Sequence, residues 1–300
     1  PPRSTLFPYT TLFRSTSVKA IQGGFYLLGT FSVSLNNKDL RLIRTDEFGN
    51  LVWETALGDS LNDIAKNMVV LPDNQILVCG VFTHQQNNTD AFIAKIDAGG
   101  NVVFQKKYGG NYNQEATCIG IHPDGNIVLG GSTDANIYGE QILNKIKDIF
   151  ILTLNSEGDS INSTIFQLNN EDYCTAISVL SDGTFLLAAN TKTLGSSTDF
   201  FNPVLVRLDR EGNMIEANAL VFNSELRIIS IHEGVAGDVF LNGANTSGGI
   251  TRATVSKLSD YNIFAPDWTK VISDASAFEP STSIISRSEE HTSELQSPNT

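Results

Sequence analysis

The chain has 300 residues, with 33 acidic and 20 basic side chains and a formal net charge of −13. That balance argues against nucleic acid or an anionic membrane surface as a partner, and no apolar run approaches the length of a membrane span. Hydrophobic residues make up 41% of the chain, enough for one large core or a stack of small units.

In chain order, the first segment to read is not domain-like. Thr5–Ser15 (TLFPYTTLFRS) and, at the other end, Arg287–Ser297 (RSEEHTSELQS) each resemble an in-frame translation of a short-read sequencing adapter. Residues 1–16 and 287–300 are therefore set aside as non-native tails. The expectation is a piece of a longer protein whose own leader or anchor is not in the sequence.

Two landmarks then alternate from Ser17 to Ser286. One is a turn followed by a wholly apolar run: Gly23–Gly29, Asp73–Gly80, Asp124–Gly131, Asp182–Ala189 and, weaker, Gly237–Gly243. The other is an apolar strand ending in D-x-x-G-N or a close variant: Leu42–Asn50, Ile93–Asn101, Ile151–Asp159, Leu205–Asn213 and a degraded copy at Val255–Asn262. Gly24, Asn74, Gly125, Gly183 and Gly237 follow one another at intervals of 50, 51, 58 and 54 residues. Asn50, Asn101, Asp159 and Asn213 give 51, 58 and 54. Both series lengthen at the same unit, so the period is real and the third copy carries an insertion.

Each unit holds four short strands; in the second they fall near Ile64–Leu71, Gln75–Val81, Ala91–Asp97 and Val102–Lys107. Asp and Asn brace their own turns, and Gly takes the positive-φ position. The second strand is apolar at successive residues, as in Ile76-Leu77-Val78-Cys79, which marks a strand covered on both faces. Small four-stranded sheets covered on both faces by their neighbours are the blades of a β-propeller. An immunoglobulin-like sandwich needs about 100 residues per unit. The fold class is thus all-β, a propeller of about five four-stranded blades of ~50 residues. The expected blades are 17–60, 61–111, 112–169, 170–223 and 224–273, with the start of another at 274–286. An incomplete ring from a larger propeller is expected, with a five-blade closure as the alternative.

The run Asp46-Glu47-Phe48-Gly49-Asn50-Leu51-Val52-Trp53, with Gly109-Gly110 and Asp182-Gly183, resembles the repeats of secreted or cell-surface Bacteroidota propellers. It is also similar to the strand motif of the quinoprotein-like superfamily. The first resemblance implies a secreted or cell-surface location, often as a lipoprotein. Quinone enzymes of the second type tend to use a ring of docking tryptophans, a calcium site and a vicinal cysteine pair. Here the D-x-x-G-x-x-x-W spacing keeps its tryptophan at Trp53 and gives way to Phe104, Asn162 and Glu216 in the next three units.

The 1–2 and 3–4 turns share one end of the propeller and read as structural. The longer connections, Gly58–Asp63, Val81–Asp90, Gly109–Glu115, Ser132–Asp148, Thr191–Asn202 and Ala244–Arg252, share the other end, where binding is expected. Asp63, Glu115 and Asp172 precede three innermost strands and would form a carboxylate ring for a cation or polyhydroxylated ligand; the alternative is that each caps its own loop. Tyr112, Tyr138 and Tyr173, with Tyr108, Phe200 and Phe201, could stack a sugar or pack between blades. No cofactor is expected; calcium would suit the acids, but nothing matches an EF-hand-type loop. Cys79, Cys118 and Cys174 lie in apolar runs, read as buried small hydrophobes, and fit no metal spacing. Of His84, His122 and His232, only His84 falls in a loop of the binding end, and a base there needs a partner. The reading is a non-catalytic scaffold for a protein or glycan ligand. The alternative is a fragment of a propeller enzyme, a glycan-active hydrolase or lyase or a quinoprotein-like dehydrogenase. Three or more convergent carboxylates or histidines lining a pocket at the channel would favour the enzyme; scattered Asn, Thr and Ser would favour the scaffold.

Overall fold

A computed structural model describes residues 13–34, 37–85, 88–135, 147–168, 171–192, 201–220, 225–234, 237–247, 249–259, 263 and 266–272. Tyr138, Phe200 and the further blade expected at 274–286 lie outside these residues. The chain is a five-bladed β-propeller, and among the described residues no α-helix occurs.

Blade 1 is β1 (Phe13–Ile21), β2 (Gly24–Ser34), β3 (Asn37–Thr45) and β4 (Leu51–Leu57). Blade 2 is β5 (Ile64–Val70), β6 (Ile76–Gln85), β7 (Asn88–Ile96) and β8 (Val102–Tyr108). Blade 3 is β9 (Gln114–Ile121), β10 (Ile127–Thr133), β11 (Asp148–Leu154) and β12 (Ser160–Phe166). Blade 4 is β13 (Glu171–Val179), β14 (Phe185–Lys192), β15 (Phe201–Leu208) and β16 (Met214–Ala219). Blade 5 is β17 (Glu225–Glu233), β18 (Val239–Ser247), β19 (Ile250–Leu258) and β20 (Trp268–Ile272). Each blade is an antiparallel meander with strands in chain order.

The repeat residues do what their chemistry requires. In the 3–4 turns, Asp46 Oδ1 accepts from the Phe48 and Asn50 amides at 2.9 and 2.7 Å. Asp97, Asn155 and Asp209 hold the same bonds in their own turns. In the 1–2 turns, Asn74 takes φ 62° where the next copy has Gly125 at 92°, so asparagine here tolerates the left-handed region.

Blades pack face to face. Tyr26, Leu28, Leu42, Met68, Val78 and Phe92 fill the seam between blades 1 and 2. Similar apolar clusters fill the 2–3, 3–4 and 4–5 seams. Among the described residues no such cluster joins blades 5 and 1. The Trp53 position explains part of the coupling. Trp53 Nε1 donates to Ala98 O of the next blade's turn at 3.1 Å, and the Asn162 amide donates to Glu211 O at 2.9 Å. Trp53 and Asn162 are different residues at one repeat position, and both dock on the next blade's turn.

The three cysteines are fully buried, as expected of small hydrophobes. Cys118 and Cys174 face each other across the 3–4 seam with their sulfurs 3.2 Å apart, and burial pushes the Cys174 thiol well up.

Every innermost strand carries a one-residue bulge at the same level, leaving Thr16, Lys66, Thr117, Thr175 and Ile229 unpaired in the ladder. The bulge re-aims a side chain, and two threonines use it to latch the next blade. Thr117 Oγ1 donates to Cys174 O at 2.7 Å, and Thr175 Oγ1 donates to Ile228 O at 2.8 Å.

Candidate functional site

The five innermost strands β1, β5, β9, β13 and β17 wall one central channel of 1440 Å³. Its mouth lies at the end carrying the long connections. The small residues Gly80, Gly131, Ala189 and Gly243 of the second strands pair with Ala65, Ala116, Cys174 and Ile228. One residue earlier, Ile64, Glu115, Tyr173 and Arg227 occupy equivalent positions, and the last three line the mouth. Asp63, Gln114, Asp172 and Leu226 stand one further residue back, on the opposite face of each strand.

This register corrects the expected carboxylate ring. Asp63, Glu115 and Asp172 do not form one layer, because a one-residue offset turns a strand side chain to the other face. Asp63 and Asp172 are fully buried, away from the channel. Asp63 Oδ2 accepts from the Asp59 amide at 2.9 Å and Oδ1 from the Thr83 amide at 2.9 Å. Burial nevertheless raises its pKa, with those bonds opposing. Asp172 Oδ2 accepts from the Leu168 amide at 2.8 Å. Both acids tie down the connection that precedes their strand.

Glu115 does face the channel, and around it lies a cluster that spans three blades. Lys147 Nζ meets Glu115 Oε1 at 2.9 Å and stands 5.4 Å from the centre of the Tyr173 ring. The Tyr173 hydroxyl donates to Glu171 in a short hydrogen bond. Burial first, then the bond to Glu171 and the charges of Glu171 and Glu115, hold the Tyr173 proton far more tightly than in free tyrosine. The Tyr173 ring meets Phe201 edge-on at 5.7 Å. Arg227 covers Phe201 at 4.4 Å and pairs with Glu225 Oε1 at 2.6 Å. Lys192 stands 6.0 Å from the Phe201 ring. Three glutamates, three cations and two rings thus form one continuous polar and aromatic surface.

Of the expected site residues, Glu115 and Tyr173 come together. Tyr112 is half-buried in the bend before β9 and does not line the channel. Tyr108 packs between blades instead; its hydroxyl donates to Gly158 O, and burial pushes its pKa up to about 12. His84, on β6 at the same end of blade 2, has the partner that sequence alone could not supply: its Nε2 contacts the buried Asp90 carboxylate. His122 is buried at the structural end beside Asp124, 2.8 Å away. Sequence reading missed Lys147, Glu171, Lys192, Glu225 and Arg227. Counting one and three residues back from the partner of the small second-strand residue would have found the pairs Glu171/Tyr173 and Glu225/Arg227 by period-2 alternation. Among the described residues, no three His, Cys, Asp or Glu side chains are grouped to hold a metal ion. Among the described residues there is no helix long and apolar enough to cross a membrane.

Residues 71–102 match a family described as a domain of unknown function (DUF5122) beta-propeller. Over 149 residues the chain is 23% identical to the regulatory protein FlaEY of Caulobacter vibrioides, a match covering 41% of this chain and 16% of that protein. The fold is similar to an α-L-arabinofuranosidase of Fusarium graminearum in complex with an iminosugar inhibitor, with TM-score 0.59, 10% identity, and 87% and 81% of the two chains covered. It is similar to a polysaccharide lyase acting on ulvan, with TM-score 0.54, 10% identity, and 83% and 67% covered. A Bacteroides caccae protein of unknown function gives TM-score 0.55, 14% identity, and 87% and 82% covered.

These likenesses are to folds. They correct the expectation of a non-catalytic scaffold, because sugar-cleaving enzymes stand among the propellers that share this architecture. The channel wall itself is mixed: Glu115 and Glu225 line it together with Asn, Thr and Ser side chains such as Asn67, Thr117, Asn190 and Thr246.

Proposed function

We propose that the chain is part of a glycan-active propeller enzyme, a glycoside hydrolase acting on extracellular polysaccharide. The observation that carries this reading is that Glu115 and Glu225 line one channel beside two aromatic rings, with Glu171 held against the Tyr173 hydroxyl. Hydrolysis of a glycosidic bond needs one carboxylic acid to protonate the leaving oxygen and one carboxylate to act as base or nucleophile. Glu115 and Glu225 lie on opposite sides of Tyr173 and are the candidate pair. Lys147 and Arg227 hold their carboxylates in place. Tyr173 and Phe201 offer rings for a sugar face.

Elimination by a tyrosinate base is the weaker chemistry here. A general base works best with a pKa near the working pH, and everything around Tyr173 pushes its pKa the other way. A secreted location follows from a polymeric substrate that the cell does not store inside.

The test is incubation with a panel of plant and algal polysaccharides. Reducing ends report hydrolysis, and ultraviolet absorbance of an unsaturated sugar reports elimination. Glu115→Gln and Glu225→Gln are each expected to lower the rate by about 10²–10⁴. Full activity in both variants would remove the pair from the mechanism.

A further inference from the structure

The chain is strongly acidic, yet the wall of its channel is not. The charged side chains lining it are Lys19, Lys66 and Arg227 against Glu115 and Glu225, together with His232. Both glutamates already have cations, Lys147 and Arg227. Lys19 and Lys66 make no ion pair among the described residues. They stand on the adjacent inner strands β1 and β5, and Lys66 is the bulged residue, where its neighbours in blades 3 and 4 carry a threonine.

His232 stands level with Lys19. Lys19 pairs with Tyr26, three residues before Gly29, and His232 with Phe240, three residues before Gly243. His232 Nε2 is buried and has no hydrogen-bond partner. Burial draws the Lys19 pKa down, and burial with the Lys19 charge draws that of His232 down. A partly dehydrated ammonium beside an unsatisfied ring nitrogen is a demand for an anion, because removing water from a charge without pairing it is costly. Low-dielectric walls lined by one sign of charge concentrate ligands of the other sign. The channel also exceeds the roughly 300–1,000 Å³ of ordinary small-molecule pockets, which suits several units of a polymer.

We propose that the channel takes the acid groups of an anionic glycan, carboxylate or sulfate, with Lys19 and Lys66 as the binding cations and His232 as a hydrogen-bonding partner. This inference rests on the reading that the ligand is a glycan and names its class.

Binding is measured by calorimetry on the full chain with three probes. These are an oligogalacturonate, a sulfated galactan oligosaccharide free of uronic acid, and a neutral arabino-oligosaccharide. At least one anionic probe is expected to bind about tenfold or more tightly than the neutral one. Its affinity is expected to fall with added salt. Comparing the two anionic probes tells carboxylate from sulfate. The double variant Lys19→Gln/Lys66→Gln is expected to lose about tenfold or more for the anionic probe while unfolding at the wild-type temperature. Neutral oligosaccharide bound as tightly, no binding of either anionic probe, or undiminished affinity in the double variant would each overturn the proposal. Anionic binding without cleavage of any glycan would leave it standing and defeat the hydrolase reading. Cleavage of neutral glycans alone would do the reverse.

Discussion

Asp148 opens β11 with its side chain fully buried, and neither carboxylate oxygen has a hydrogen-bond partner. Burial first, and the neighbouring Asp172 charge second, raise its pKa from 3.8 to about 6. In the folded chain Asp148 therefore keeps a proton that the unfolded chain releases between those two values. Stability from this group is fully present below about pH 4 and is lost as pH rises through 6. A shift of roughly two units corresponds to a ceiling of about 3 kcal/mol. Asp148→Asn keeps the shape and removes the charge. The buried amide brings its own unsatisfied groups, so the expected gain is about 1–3 kcal/mol near pH 8 and close to zero near pH 4. Urea unfolding of wild type and variant across that range measures it; the difference between the two curves cancels the titration of every other group. A difference that does not change with pH, or a variant less stable than wild type near pH 8, would refute the reasoning.

Two further substitutions probe the seams. A Cβ added at Gly130 would stand 2.7 Å from the Cys118 sulfur and 2.8 Å from that of Cys174, so Gly130→Ala is expected to cost about 1–3 kcal/mol by overpacking. Cys174→Ala should restore part of that loss in the double variant, and additive losses in the unfolding experiment would sink the steric account. Asn190 bridges blades 4 and 5 by accepting from Ile228 N at 3.0 Å and donating to Ile228 O at 3.1 Å. Asn190→Ala strands the Ile228 N–H at about 1–3 kcal/mol, while Ile228 O keeps the Thr175 hydroxyl; hydrogen exchange should show β17 opening first, and unchanged protection there would count against the latch.

The blades were legible because their marks are local. An Asp that accepts from amides two and four residues ahead writes its turn into five consecutive letters, as Asp46 and Asp209 do. The tryptophan motif was legible as a pattern but not as a function. Docking onto the next blade's turn survives when Trp53 becomes Asn162, since an indole N–H and an amide N–H donate alike. The site was half legible for a different reason. Asp63, Glu115 and Asp172 all precede an apolar strand, and acids before a strand look interchangeable. Their roles are decided by register against the second strand, and the connection leading into each first strand differs in length from copy to copy. Counting from the preceding turn therefore slips by one, which is enough to exchange a loop cap for a channel ligand. The small residue of the second strand is the safer origin. Its close approach to the first strand fixes the level: the ideal Cβ of Gly80 falls 2.2 Å from Ile64 O, and that of Gly131 falls 2.0 Å from Glu115 O. Read from that origin, the channel residues of each blade follow by alternation, and the charges that make the mouth a site come from positions that no motif marks.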